Sequence, residues 1–438
     1  MALLTAREKY SYASGEIASN LGWNMVAGFL LLYYSDVALL PVAGLGTLML
    51  VTRVLDAVFD PGVGLLVDRT RTRFGKSRPY ILFAALPFAA MMVATFSVPG
   101  SLSPEGKLLY AYVTFTLLGL LYSLLYIPYS ALLPMMTRDP GEKVQLGSLR
   151  SMGTSLASII VYGLTIPLVA WIGGENRQHG FTMAAVIMAA ITAGLYFVVV
   201  ANCQERYSAP ADAQAVPART SLRQMIRNPI WLLVFAFAMA AFVKIGIMVS
   251  SLAFFSKDVL GTPWMISVLL PLLSVAILSG GFIAGFVFRR VTKRIGNIVA
   301  LTATLVPLCL MPFAQGHAPL FIALFTLANV TGGIQGATIF ILLADSVEEH
   351  DRRFGNRAEG LLVSSVSFGM KVGMAIGTAL TGYALAWAGY DPAHATPGAN
   401  MALSWLFYGG QIALTLVQIA CISLLREPPV LSAAPSQS

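Results

Sequence analysis

Twelve stretches of the chain run for about 20 residues or more with few charges, the length a helix needs to cross the hydrocarbon of a bilayer. They lie at roughly 12–38, 42–66, 80–98, 108–135, 144–172, 179–201, 229–256, 263–288, 297–315, 319–345, 360–388 and 401–425. The expected fold class is therefore an all-α integral membrane protein of twelve transmembrane helices. Composition agrees: 57% of the 438 residues are hydrophobic and 11% charged, where a soluble domain carries about 25% charged residues. The net charge of +8 does not mark a nucleic-acid partner. The basic residues are spread over short loops, where they mark the cytoplasmic side of a membrane protein.

Those loops predict the orientation. Arg69, Arg71, Arg73, Lys76 and Arg78 lie between segments two and three, Arg289, Arg290, Lys293 and Arg294 between eight and nine, and Arg352, Arg353 and Arg357 between ten and eleven. The opposite loops hold Lys107, Arg177 and Lys257. Both termini are thus expected in the cytoplasm. The polar stretch CQERYSAPADAQAVPARTSLRQMIRN reads as a cytoplasmic linker, residues 203–228, between six-helix lobes at 1–202 and 229–426, with a tail at 427–438. A short repeat supports two related halves: Gly64-x3-Asp68-Arg69 leads to Gly75, and Gly285-x3-Arg289-Arg290 leads to Gly296 at the same spacing. The polar N-terminus shows no signal-peptide pattern, so no cleaved leader is expected. Cys203, Cys309 and Cys421 have no metal or disulfide spacing. The four histidines lie in or next to loops, and no HExxH, P-loop or GxSxG is present, so an enzyme is not expected.

Charges inside spans are costly and are functional suspects. The densest group is in segment two, RVLDAVFDP. Asp56 and Asp60 are one helical turn apart on one face, with Arg53 a turn earlier on the same side. Pro61 lacks an N–H and leaves the Ala57 carbonyl unbonded. Two carboxylates that close cannot both ionise cheaply unless a cation sits between them. The pair suits the loading of a proton or Na⁺; the structural alternative is a salt bridge to Arg53. Lys371, in SFGMKVGMAIG, lies about eleven residues into its helix among small residues that allow close helix contact. It is read as facing a cavity. Arg150 is either a surface anchor or a ligand of substrate, and the roles of Glu16 and Lys244 stay open. Asp36 falls near the outer end of segment one, where an interfacial carboxylate costs little. Asn20 and Asn24 with Trp23, and Tyr122 with Tyr126, offer amides, phenols and aromatic faces that suit a polyhydroxylated ligand. Helix-to-helix hydrogen bonding is the alternative for each. The run Glu348-Glu349-His350-Asp351-Arg352-Arg353 reads as a solvated cytoplasmic loop.

NLGWNMVAGFLLLYYSDV, GTLMLVTRVLDAVFDP, GLLVDRTRTRFGKSRPYIL, IPYSALLP, LLADSVEEHDRRFGNRAEG and SFGMKVG together resemble the glycoside–pentoside–hexuronide cation symporters, the melibiose permease group of the major facilitator superfamily. The resemblance runs from segment one to segment eleven. It implies a two-lobed twelve-helix fold that imports a sugar or glycoside by symport with H⁺ or Na⁺, without a cofactor or resident metal. By position it implies that Asp56 and Asp60 bind the cation. Arg150 and Lys371 would line the sugar cavity with Asn20, Tyr122 and Tyr126. Asp68, Arg69, Arg73 and Arg357 would act in the cytoplasmic loops as gates. Asn20 and Tyr126 stand where the melibiose permeases carry aspartates, so galactoside recognition does not carry over, and one Na⁺ ligand is missing. The expected setting is a bacterial inner membrane, as a monomer among lipids. The alternatives are an uncoupled facilitator, a symporter of a non-sugar solute, or a sensor without net flux, which would be expected to carry a larger soluble tail.

Overall fold

In hydrocarbon no water is available for free N–H and C=O groups, so each lipid-exposed span must be helical. The computed structural model describes residues 4–70, 72–137, 139–207, 223–288, 290–355, 359–392 and 396–425. Among these the long helices are α1 (Ala6–Leu32), α2 (Val42–Arg69), α3 (Arg78–Thr95), α4 (Pro104–Met136), α5 (Pro140–Gly173), α6 (Arg177–Asn202), α7 (Pro229–Phe254), α8 (Ile266–Val287), α9 (Lys293–Leu310), α10 (Ala318–Phe354) and α11 (Glu359–Trp387). The last span is α12 (Pro397–Ser404) and α13 (Gln411–Leu424), joined through a π-helical stretch, Trp405–Gly410. Nine of the described spans are long and apolar enough to cross a membrane by length and composition alone.

Local chemistry sets the helix starts. Thr5 and Glu8 form a capping box on α1, and Ser103, Asp139 and Asn176 cap α4, α5 and α6 by accepting from backbone N–H groups. Trp171, Trp264, Trp387 and Trp405 lie at helix ends and are between 55% and 90% exposed, the placement of an interfacial aromatic belt.

The helices form two compact units. The first comprises Met1–Gln214, Phe242–Val275 and Lys371–Gly410; the second comprises Ala215–Ala241, Ala276–Met370 and Gln411–Ser438. In the first, α1 packs on α5 and α6, α3 on α4 and α6, and α2 on α4. In the second, α9 packs on α10 and α13. The charged run from Glu348 is not a loop. It forms the last turns of α10, with Glu349 and His350 buried and Glu349 paired to both Arg352 and Arg353. The spacing that looked like a solvated segment places its acid and histidine on the packed face and its arginines outward.

The ends of α1 and α7 repeat one local design. Each runs into a π-helical turn, Tyr33–Val37 and Phe255–Val259. Each turn closes with matching backbone bonds, Ala38 N–H to Tyr33 O at 2.8 Å and Leu260 N–H to Phe255 O at 3.0 Å. Each then passes through a left-handed residue, Leu39 with φ 55° and Gly261 with φ 63°. The correspondence sets Asp36 against Asp258.

Lipid tails are as apolar as leucine, so membrane helices associate through close packing at small residues. In the first unit, a Cβ at Gly246 or Gly377 would run into the backbone of the facing helix. In the second, a Cβ at Gly280 would strike the Val330 carbonyl and one at Gly333 the Ile277 carbonyl. Gly280→Ala and Gly333→Ala are expected to cost about 1–3 kcal/mol each by overpacking. Gly281→Ala, where nothing lies within 4 Å, is expected to be neutral. Thermal unfolding in detergent compares the three directly.

Candidate functional site

The site begins with the two acids of α2. Asp56 is 3% exposed, and its Oδ1 lies 2.7 Å from the Ser123 hydroxyl oxygen on α4. The same hydroxyl oxygen lies 2.7 Å from Asp60 Oδ1. The other oxygen of Asp60 forms an ion pair with Lys371 of α11. The base that reaches the acid pair is therefore Lys371, not Arg53. Arg53 places its guanidinium 3.8 Å from the ring centre of Trp23 and 5.1 Å from that of Phe115. Helical spacing put Arg53 on the right side of α2 but could not show that an aromatic face on α1 competes for it. The side chains of Ala57 and Pro61 lie outside the described part, so a freed Ala57 carbonyl stays an expectation from the sequence.

A second cluster lies on α1 and α5. Glu16 is buried and paired with Arg150, Nε to Oε2 at 2.7 Å. Asn20 Nδ2 donates to Glu16 Oε1 at 3.1 Å, and Thr154 donates to the same oxygen at 3.2 Å. Arg150 also donates to the Tyr126 hydroxyl at 3.1 Å. Asn24 is tied to Ser158 at 2.9 Å and accepts from Tyr162 at 3.2 Å, which is helix-to-helix bonding. Glu16 stands one turn before Asn20, and that spacing is the sequence signal that could have joined it to the cluster. Ser123 had no such signal, because a serine in a span is ordinary helix bonding until its partner is known.

An aromatic seam joins the two clusters. Trp23 stacks on Tyr122 at 4.9 Å, and Tyr122 stacks on Tyr126 at 5.4 Å. Arg53 caps one end of the seam and Arg150 the other. Beside Arg53, Trp23 and Tyr122 is a cavity of about 10 Å³, enough for about one water. On α4, Ser123 reaches the acids while Tyr122 and Tyr126, on either side of it, belong to the seam. The structure thus brings Asp56, Asp60, Lys371, Tyr122, Tyr126, Asn20 and Arg150 into one connected region of the first unit.

The gate candidates fare differently. The side chains of Asp68 and Arg69, and all of Arg357, lie outside the described residues. Arg73 is exposed and packs on Phe74 at 4.8 Å. The loop's described backbone instead holds Glu205. The N–H groups of Lys76, Ser77 and Arg78 donate to its carboxylate at 2.7, 2.8 and 3.1 Å. Gly75, with φ 103°, leaves room for that carboxylate, which a Cβ would overlap.

Residues 11–426 match the family of MFS/sugar transport proteins. The chain is 34% identical to the isoprimeverose transporter of Lactiplantibacillus pentosus over 89% of its own length and 81% of the relative's. It is 32% identical to the inner membrane symporter YicJ of Escherichia coli, over 89% and 85%. Its fold matches a bacterial homologue of the lysosomal transporter Spinster in an inward-facing, unoccupied conformation, with TM-score 0.71 at 12% identity, covering 96% of each chain. The fold and family define an integral membrane transporter rather than an enzyme. The chain belongs to the MFS/sugar transport family, in agreement with its resemblance to the glycoside–pentoside–hexuronide symporters.

Trp23 holds the seam to Arg53. Trp23→Leu keeps apolar bulk but removes a cation–π contact and a ring stack. The expected loss is about 1–3 kcal/mol, read as a lower melting temperature in detergent, with Trp23→Phe intermediate.

Proposed function

We propose that the chain imports a sugar or glycoside by alternating access, in symport with a cation carried by Asp56 and Asp60. The observation that carries this reading is the single Ser123 hydroxyl at 2.7 Å from both carboxylates. A hydroxyl has one hydrogen to donate. That hydrogen can satisfy one contact fully or be shared between the two, and a proton on one carboxyl group would complete the second contact. The pair is built to hold a proton between two acids, so H⁺ is the favoured coupling ion and Na⁺ is the competitor that the test must separate. The substrate region in this reading is the seam: aromatic faces from Trp23, Tyr122 and Tyr126 for a sugar ring, and polar groups from Asn20, Arg150 and Lys371 for its hydroxyls. The sugar-type names of the relatives support it.

Coupling runs through α4. Adding a cation to the acid pair changes what Ser123 must satisfy, and Tyr122 and Tyr126 move with the same helix. Lys371 ties Asp60 to α11, so loading the acids also weakens that tie. The same reading takes lobes at 1–202 and 229–426 with a linker at 203–228, and a monomer in a lipid bilayer of the bacterial inner membrane. It places both termini in the cytoplasm and the loop residues Asp68, Arg69, Arg73 and Arg357 at the cytoplasmic gate.

Asp56→Asn and Asp60→Asn are expected to abolish uphill accumulation in proteoliposomes with an imposed pH or Na⁺ gradient. Downhill equilibration is expected to survive, because the proposed sugar contacts lie on other helices. Accumulation driven by a pH gradient in Na⁺-free buffer identifies the ion as H⁺. Uphill uptake by the doubly neutralised protein would move the coupling site away from α2.

A further inference from the structure

The sequence places Asp36 near the outer end of segment one, where an interfacial carboxylate costs little. Its side chain is instead 4% exposed and paired with Lys257. Ser35 donates to Asp36 Oδ1 at 2.8 Å. Asp258, its counterpart in the repeated π turn, is 6% exposed and lies 3.9 Å from the same ammonium. The Tyr390 hydroxyl, from the segment after α11, lies 3.0 and 3.1 Å from the Asp36 oxygens and 3.3 Å from Asp258 Oδ2. Lys257 also donates to that hydroxyl and to the Pro392 carbonyl, each at 3.3 Å. Burial, with the charges of Asp36 and Asp258 added, holds the Tyr390 phenol above its ordinary range, so it remains a donor.

One ammonium thus faces two carboxylates from the matching ends of α1 and α7. They are not equivalent to it. Asp36 belongs to another helix, while Asp258 is its own chain neighbour and travels with it. If α1 and α7 part, the contact to Asp36 breaks but the contact to Asp258 does not depend on α1. An ammonium left alone in apolar surroundings is costly; Asp258 removes that cost. We propose that Asp36, Lys257, Asp258 and Tyr390 form a two-position latch at the outer end of the first unit, in which Lys257 is held by Asp36 when α1 and α7 are together and by Asp258 when they separate. Its placement at the outer end follows from the proposed orientation with both termini in the cytoplasm. Beside the latch is a cavity of about 220 Å³, lined by Asp36, Lys257, Arg177 and apolar residues including Ala253 and Ile266. The latch controls access to it. Lys107 of α4, which donates to the Ala38 carbonyl at 2.9 Å, fixes the α1 side.

The two carboxylates then act in opposite directions, which a merely structural cluster does not predict. The test places a reporter by Ala253→Cys in protein whose Cys203, Cys309 and Cys421 are replaced by serine. Its rate of reaction with a membrane-impermeant maleimide is measured in right-side-out and inside-out vesicles. Asp36→Asn is expected to speed labelling about tenfold, the change that ~1.4 kcal/mol produces. Asp258→Asn is expected to slow it by about the same factor, since the open position has lost its partner. Exchanging the charges, Asp36→Lys with Lys257→Asp, is expected to restore slow labelling, which damage to the fold would not allow. Equal rates in all variants, or both aspartate variants moving the same way, overturn the latch. Opposite shifts seen only with reagent on the cytoplasmic face keep the latch and overturn the orientation.

Discussion

The acid pair of the candidate site depends on one shared hydroxyl, that of Ser123. Two carboxylates a turn apart inside an apolar helix would repel one another and lose their hydration. Ser123 answers part of that by bridging them, and Lys371 answers another part by pairing with Asp60. Neither partner is on α2. The acid pair is therefore stable only while α2, α4 and α11 keep their places, and its charge state bears on the packing of three helices at once. That is the physical content of the proposed coupling: a site whose electrostatic cost is met by neighbours that can move.

The helices were legible because their cause is local. A run of apolar residues with no water to bond must be helical wherever it lies, so the spans could be read from length and composition. The acids were legible for the same reason, since a carboxylate in such a run has no cheap explanation. Partners were not legible. The bridge from Ser123 to both acids and the pairing of Lys371 with Asp60 arise only through packing between helices, and sequence spacing carries that information only within one helix. Arg53 shows the limit: its register was right, but Trp23 on α1 offers a face that α2 alone could not reveal. The run from Glu348 to Arg353 shows another. Charge density suggested solvent, while helical periodicity sorted the same residues into a buried acid and outward arginines.

The repeat between the halves is sharper in backbone than in sequence. Tyr33–Val37 and Phe255–Val259 share a rare helical form, a closing bond pattern and a left-handed residue, yet their residues mostly differ. One half uses Gly261 where the other accepts the strain of Leu39, which costs a non-glycine residue about 1–2 kcal/mol. A conformation kept despite that strain is held by its surroundings. The aspartates at matching positions are the chemical trace of the repeat, and Lys257 breaks its symmetry.

Symmetry is broken the other way at the acid pair. Carrying the sequence repeat across sends Asp56 to Ile277 and Asp60 to Gly281, neither of which can bind a cation with its side chain. One helix carries the acid pair; its counterpart carries two glycines, of which Gly281, opposite Asp60 in the repeat, faces open space while Gly280, beside it, meets the α10 backbone. A duplicated scaffold thus carries two kinds of helix contact. Close glycine packing demands a rigid, dry contact, while an acid pair that loads and unloads needs partners able to let go. The crossing at Gly280 and Gly333 uses none of the acid-pair residues or their partners, whereas α2 and α11 meet through their own close contact at Gly46 and Gly382, which leaves the proposed coupling to the side chains around it.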